Sequence, residues 1–221
     1  MTTSKRNPVQ RLSVLDAESL DLAENFTDNP EAVRLAAEAA FETGAEVPSN
    51  GVCAALAFLA KATGAKSVVE IGTGTGVTGL ALLTGMTDDG VLTSIGAEAD
   101  WQNEARRAWL AAGFPEHRFR LIAGVALSIL PRLRDEAYDV VFVNQNKLEY
   151  VECVAQAARL LRPGGVLVLN DVLWHNQVAD PADESDDVFI IREALQAVQA
   201  DDAFTAVIIP LGEGLLAAAK N

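Results

Sequence analysis

The chain has 221 residues, half of them hydrophobic and 22% charged, which is the profile of a globular protein long enough to bury one substantial core. A formal net charge of −14 opposes binding to nucleic-acid backbones and anionic membranes, and no run of Arg and Lys exceeds a pair. No apolar stretch reaches membrane-spanning length, and residues 1–11 lack the apolar centre of a secretory signal. Cys53 and Cys153 lie in apolar helical stretches without metal-binding spacing, which predicts two buried, reduced thiols and a cytoplasmic chain.

Residues 12–45 read as helical, with Asn29-Pro30 opening a second helix and Gly44 ending it. Residues 1–50 thus form a helical N-terminal segment of a single domain spanning 1–221. A helix over 51–63 comes next. From there apolar strands alternate with helices: Ser67–Ile71, a glycine loop and a helix over 76–86, a strand over 91–97, and a helix over 99–112. A strand over 118–123, a short helix over 125–134, the strand Tyr138–Val143 and a helix over 148–161 follow. Arg162-Pro163-Gly164-Gly165 reads as a stop before a strand over 166–169, and a polar loop over 171–187 precedes a helix over 190–200. Near-continuously apolar strands separated by helices predict an α/β, doubly wound, mostly parallel sheet with helices on both faces. The last two strands, Phe204–Ile209 and 215–218, are linked only by residues 210–214, so pairing between them must be antiparallel.

The segment from Val68 to Gly79 runs from a strand through a glycine loop into a helix. Glycines let backbone approach a ligand closely, and the following helix offers free N–H groups. Two ligands compete for such a loop. Gly74, Gly76 and Gly79 fit the dinucleotide pattern GxGxxG, a weak signal by itself. Gly72, Gly74 and Gly76, preceded by Glu70, fit the GxGxG form of adenosylmethionine-dependent methyltransferases. A carboxylate at Glu70 would repel a pyrophosphate and attract an ammonium and a sulfonium, which favours the second ligand.

Several segments in order carry a wider resemblance. They are Val69-Glu70-Ile71-Gly72-Thr73-Gly74-Thr75-Gly76, Leu92-Thr93-Ser94-Ile95, Tyr138-Asp139-Val140-Val141-Phe142-Val143 with Lys147 and Tyr150, and Leu160-Leu161-Arg162-Pro163-Gly164-Gly165. Val172-Leu173-Trp174-His175, Val178-Ala179-Asp180-Pro181 and Ile209-Pro210-Leu211-Gly212-Glu213-Gly214 complete the set. Over residues 30–220 the chain resembles the bacterial branch of the class I S-adenosylmethionine-dependent O-methyltransferases of the catechol and caffeoyl-CoA type. The resemblance implies a Rossmann-like sheet of seven strands with the last one antiparallel. It implies methyl transfer from S-adenosylmethionine to a hydroxyl of a small, in some members aromatic, acceptor, and a homodimer. The cofactor contacts it implies are Val47, Glu70, Gly72, Thr73, Gly74, Thr78, Ala97, Ala126 and Asn144, with Trp174 and His175 lining the acceptor site.

Three departures from that family's pattern bear on chemistry. The acid that ends the second strand and holds the ribose hydroxyls is replaced by Gly96; Glu98, two residues on, is the candidate substitute. The metal ligands of the family fall on Asn144, Asn170 and Asp171, so two carboxylates become one, and Mg²⁺ binding is expected to weaken or vanish. The third departure is the order Asn170 then Asp171, reversed from the family's Asp then Asn. Lys147 matches the family's catalytic base, and the loss of an acid at Asn144 removes one partner that would hold it charged. Three functions therefore compete: an active O-methyltransferase, a degenerate S-adenosylmethionine-binding protein, and a nicotinamide-dependent oxidoreductase resting on Gly74, Gly76 and Gly79 alone.

Overall fold

The computed structural model describes residues 15–42 and 44–221. The expectations for residues 1–11 and for the start of the first helix, 12–14, lie outside the described residues. Among the described residues seven strands form one sheet: β1 (Ser67–Ile71), β2 (Val91–Gly96), β3 (Phe119–Ala123), β4 (Tyr138–Val143), β5 (Leu161–Leu169), β6 (Phe204–Ile209) and β7 (Leu215–Lys220). Their spatial order is β3-β2-β1-β4-β5-β7-β6. The pairs from β3 to β5 are parallel, and β7 runs antiparallel to both β5 and β6, between which it is inserted. The chain leaves β1 toward β3 and returns on the other side as β4. The order thus reverses between β1 and β4, and in such sheets ligands bind at the carboxyl ends of the strands beside this reversal.

Among the described residues eight α-helices surround the sheet: α1 (Ala17–Glu24), α2 (Glu31–Glu42), α3 (Asn50–Ala62), α4 (Val77–Gly85), α5 (Ala99–Ala111), α6 (Ala126–Ile129), α7 (Tyr150–Leu160) and α8 (Asp186–Ala200). Strand side chains alternate between faces, and the core splits accordingly. Val68, Leu92, Phe142 and Val168 pack with Leu56, Leu80 and Trp109 on the α2–α5 side. Val69, Ile95, Val141 and Leu167 pack with Tyr150, Leu160 and Ile191 on the α7–α8 side. Cys53 and Cys153 are free, one in each layer, and burial pushes both thiols up to about 12.

Asp139 ties the strand starts together. Its Oδ2 accepts from the backbone N–H groups of Lys66 at 2.7 Å and Ser67 at 2.8 Å, and its Oδ1 from Arg162 Nε at 2.6 Å. This clamp helps explain one departure from the expected elements. Arg162-Pro163-Gly164-Gly165 is no break before β5; it lies within β5, where the register to β4 shifts between Tyr138 and Val140, as in a bulge. Elsewhere α8 starts at Asp186, ahead of the expected 190, with Asp186 and Asp187 placed favourably at its positive end. The expected helix over 125–134 divides into α6 and a 3-10 turn, Leu130–Arg132, that contains Pro131.

Candidate active site

The carboxyl ends of β1, β2 and β4 open onto a cleft of about 480 Å³. Gly72, Thr73, Gly74, Ala97, Glu98, Ala126, Asn144 and Lys147 line it, so eight of the residues singled out in the sequence meet at one place. The loop that forms its floor is held by main chain. Gly72 N–H donates to the Ile95 carbonyl at 2.8 Å, and Asn144 N–H donates to the Ile71 carbonyl at 2.8 Å. Gly72 has φ +100°, and a Cβ there would overlap the carbonyl oxygen of Asn144. Only glycine lets the loop pass this close to the end of β4.

Glu70 and Thr78 are buried behind the loop and are absent from the cleft wall. Glu70 Oε1 accepts from Thr78 Oγ1 at 2.6 Å and Oε2 from Ser94 Oγ at 2.5 Å, while Ser94 Oγ lies 2.8 Å from Thr73 Oγ1. The carboxylate thereby joins β1, β2, the loop and α4. Burial pushes its pKa up to about 7, against the pull of the two hydroxyls. The folded state then holds a proton that the unfolded chain releases near its ordinary value, so this stabilisation is complete below about pH 4.5 and disappears as pH rises through about 7. Glu70→Gln is expected to remove that slope: the stability of the native protein relative to the variant should fall by on the order of 3 kcal/mol between mildly acid and mildly alkaline solution. Urea denaturation of both proteins across this range measures it; parallel curves would show that the carboxyl does not titrate there.

Gly96 has no room for an acid. A Cβ would stand 2.8 Å from Thr73 Oγ1 and 3.0 Å from Thr73 Cβ. Gln102 occupies the neighbourhood, donating to the Ile122 carbonyl at 2.9 Å and reaching the Gly96 carbonyl and Thr73 Oγ1 at 3.3 Å. Glu98, on the same cleft, is exposed and makes no side-chain cap to α5.

Several lining residues were not singled out in the sequence: Glu46, Trp101, Gln145 and Glu149. The register Glu70↔Ser94 would have paired Ser94 with the carboxylate. Trp101 carried no signal, since its role follows from the direction in which α5 leaves β2.

Val47, Asn170 and Asp171 line an adjoining cleft with Glu24 and Glu213. His175 is exposed; its N–H donates to Glu213 Oε2 at 2.6 Å and its ring lies 4.8 Å from that of the half-buried Trp174. Asp171, Trp174, His175 and Asn176 all have left-handed backbone, with φ of 55°, 42°, 54° and 64°. Such residues cost about 1 kcal/mol or more each, and clusters of them are typical of functional loops.

Lys147 joins the two clefts. It is 6% exposed, its Nζ lies 2.7 Å from Asp171 Oδ2 and 3.4 Å from the Gln145 carbonyl, and the rings of Tyr150 and Trp174 stand 5.2 and 5.0 Å from it. The partner expected to be missing because residue 144 is Asn is thus supplied by Asp171.

The family model for O-methyltransferases matches residues 33–221. The chain belongs to the O-methyltransferase family. It is 44% identical over 199 residues to a provisionally named O-methyltransferase of Mycolicibacterium vanbaalenii, covering 90% of this chain and 88% of that protein. It is 40% identical to one from Mycobacteroides abscessus over the full length of both. Among solved structures it is similar to a protein of Corynebacterium glutamicum (TM-score 0.85, 30% identity, 92% and 96% of the two chains). It is also similar to the O-methyltransferase TomG of Streptomyces achromogenes, solved in complex with SAM (TM-score 0.82, 27% identity, 94% and 100%). In this methyltransferase the third glycine of the dinucleotide pattern, Gly79, faces Trp109 and the Glu70 carboxylate inside the core, where it serves helix packing.

The three positions that would carry a metal do not suit a divalent cation. Asn144 Oδ1 already accepts from Asn170 Nδ2 at 3.1 Å, and the one carboxylate, Asp171, is paired with Lys147. Among the described residues Asn170 Oδ1 alone is buried without a donor, a single neutral oxygen. No group of three or more His, Cys, Asp or Glu gathers as a metal site among the described residues. A cation approaching Asp171 would have to part it from a buried ammonium, a disruption of about 3–5 kcal/mol.

Proposed function

We propose that this O-methyltransferase seats S-adenosylmethionine in the 480 Å³ cleft and transfers its methyl group to a hydroxyl of a small acceptor entering from the cleft that Asp171 lines. The observation that carries the reading is the close approach of Gly72 to Asn144, which leaves a backbone-lined floor at the point where strand order reverses. Gly72, Thr73 and Gly74 contact the amino-acid portion of the cofactor, Ala97 and Ala126 flank the adenine, and Glu98 takes the ribose hydroxyls in place of an acid at Gly96. Glu70 and Thr78 act from behind by shaping the loop. Trp174 and His175 border the acceptor. Holding the acceptor oxygen in line with the sulfonium methyl supplies much of the acceleration.

A net charge of −14 supports a small-molecule acceptor over nucleic acid. No helix among the described residues is long and apolar enough to cross a membrane. Two free, buried cysteines support a cytoplasmic setting, and the exposed rings of Phe26, Phe41 and Phe58 support a homodimer. The described helices pack on the one sheet or on each other, which supports a single domain.

Incubation with methyl-labelled cofactor and a panel of hydroxylated aromatics tests the activity. Label is expected on at least one phenolic acceptor; tight cofactor binding with no transfer to any of them would favour the degenerate, binding-only reading, which the absence of acids at Gly96 and Asn144 suggests. Glu98→Ala is expected to weaken adenosylhomocysteine binding about tenfold in calorimetry, the scale of a lost charge-assisted hydrogen bond. Unchanged affinity would remove Glu98 from the ribose site.

A further inference from the structure

The residues around Lys147 form a cage for a cation. A carboxylate oxygen at 2.7 Å, a carbonyl at 3.4 Å and two aromatic faces at 5.0 and 5.2 Å all favour positive charge at one point, and the side chain there is 6% exposed. Lys147 also lines the proposed cofactor cleft while its partner Asp171 lines the adjoining one. The ammonium therefore stands at the junction where a methyl donor and an acceptor would meet. The family's metal positions, by contrast, hold two amides and a carboxylate that this same ammonium has taken.

Resting on the methyl-transfer reading above, we infer that Lys147 is the resident cation of the acceptor site: its ammonium holds the acceptor oxygen as it becomes anionic, and transfer proceeds without a metal ion. An ammonium has three N–H donors. Asp171 and the Gln145 carbonyl engage two, and the third is available to the acceptor oxygen. The acceptor hydroxyl gives its proton to water. An oxygen lone pair then forms the bond to the methyl carbon as the carbon–sulfur bond breaks with its electron pair returning to sulfur, leaving a neutral thioether and an ether. Lys147 ends the step as it began it, protonated and paired. Preorganised positive charge aimed at a developing oxyanion is among the largest contributions a site can make. A divalent ion gathers several oxygens, whereas an ammonium needs one. The acceptor class that follows is a phenol with a single ionisable hydroxyl; a second, vicinal oxygen is not required.

Manganese titration followed by electron paramagnetic resonance, in the presence of adenosylhomocysteine, tests the assignment without needing the acceptor. The native protein and Asn144→Asp are expected to bind Mn²⁺ no more tightly than about 1 mM, because the lysine still holds the place, while the double variant Asn144→Asp/Lys147→Met binds at least about tenfold more tightly than Asn144→Asp. Native binding tighter than that limit overturns the inference. So does a double variant that binds no better than Asn144→Asp. Calorimetry with adenosylhomocysteine on each protein reports separately on the cofactor seat, so failure of the seat and failure of the cation assignment are told apart. With a turned-over phenol in hand, chelation is expected to leave the native rate within about twofold and Lys147→Met to lower kcat at least about a hundredfold with cofactor affinity retained. A chelated enzyme restored by Mn²⁺ would overturn the inference as well.

Discussion

Gly72→Ala is expected to reduce adenosylhomocysteine affinity more than about a hundredfold and to lower stability by roughly 2–4 kcal/mol. Two physical effects add. The residue has φ +100°, where a Cβ is strained in any surroundings, and here the Cβ would also overlap the Asn144 carbonyl. That carbonyl belongs to main chain anchored by the bond from Asn144 N–H to the Ile71 carbonyl at 2.8 Å, so it cannot swing aside as a side chain would. Relief requires the loop to rise into the cleft, which is the space the cofactor needs. Calorimetry and urea denaturation of the variant check both halves. Unimpaired affinity in a variant of normal stability would mean that the floor of the cleft is more pliant than its backbone bonds imply.

The second large effect is at Trp109. Its side chain projects from α5 and is fully buried against α4 and β3, its Nε1 donates to the Gly76 carbonyl at 2.8 Å, and its ring meets Phe119 edge-on at 5.0 Å. Trp109→Ala is expected to lower stability by about 3–5 kcal/mol through lost burial and the cavity left behind. Trp109→Phe keeps most of the apolar volume and loses the donor to Gly76, with an expected loss of about 1–3 kcal/mol. Because Gly76 closes the glycine loop, the phenylalanine variant should also bind adenosylhomocysteine more weakly than native protein. Denaturation midpoints rank the three proteins. If the phenylalanine variant is as stable as native protein, the indole hydrogen bond does not contribute.

Much of this architecture was legible in the sequence because strand burial is two-sided. β1, β4 and β6 appear at their expected bounds, since apolar runs flanked by turn residues leave little choice of start and end. The link over residues 210–214 likewise announced the antiparallel β6–β7 pair. The bulged start of β5 was hidden because Pro163 and Gly164-Gly165 break most strands, and only the Asp139–Arg162 pairing across the sheet shows why this one continues. Within the site, the glycine loop and the residues ending β1, β2 and β4 converge because parallel strands deliver their carboxyl ends to one edge. What stayed hidden is side-chain direction. Charge reasoning aimed Glu70 at the sulfonium, but the Glu70↔Ser94 register and the hydroxyl of Thr78 turn it into the core. Strand alternation made Asn170 and Asp171 look opposed; with β5 ending at Leu169 and Asp171 left-handed, that rule no longer governs Asp171, which reaches Lys147.

Diffraction from crystals grown with adenosylhomocysteine tests the cofactor seat most directly. The expected map has the amino-acid portion over Gly72, Thr73 and Gly74 and the ribose hydroxyls against Glu98, with adenine between Ala97 and Ala126. A map with this cleft empty, or with a pyridine dinucleotide bound there in preference when both are supplied, would contradict the account.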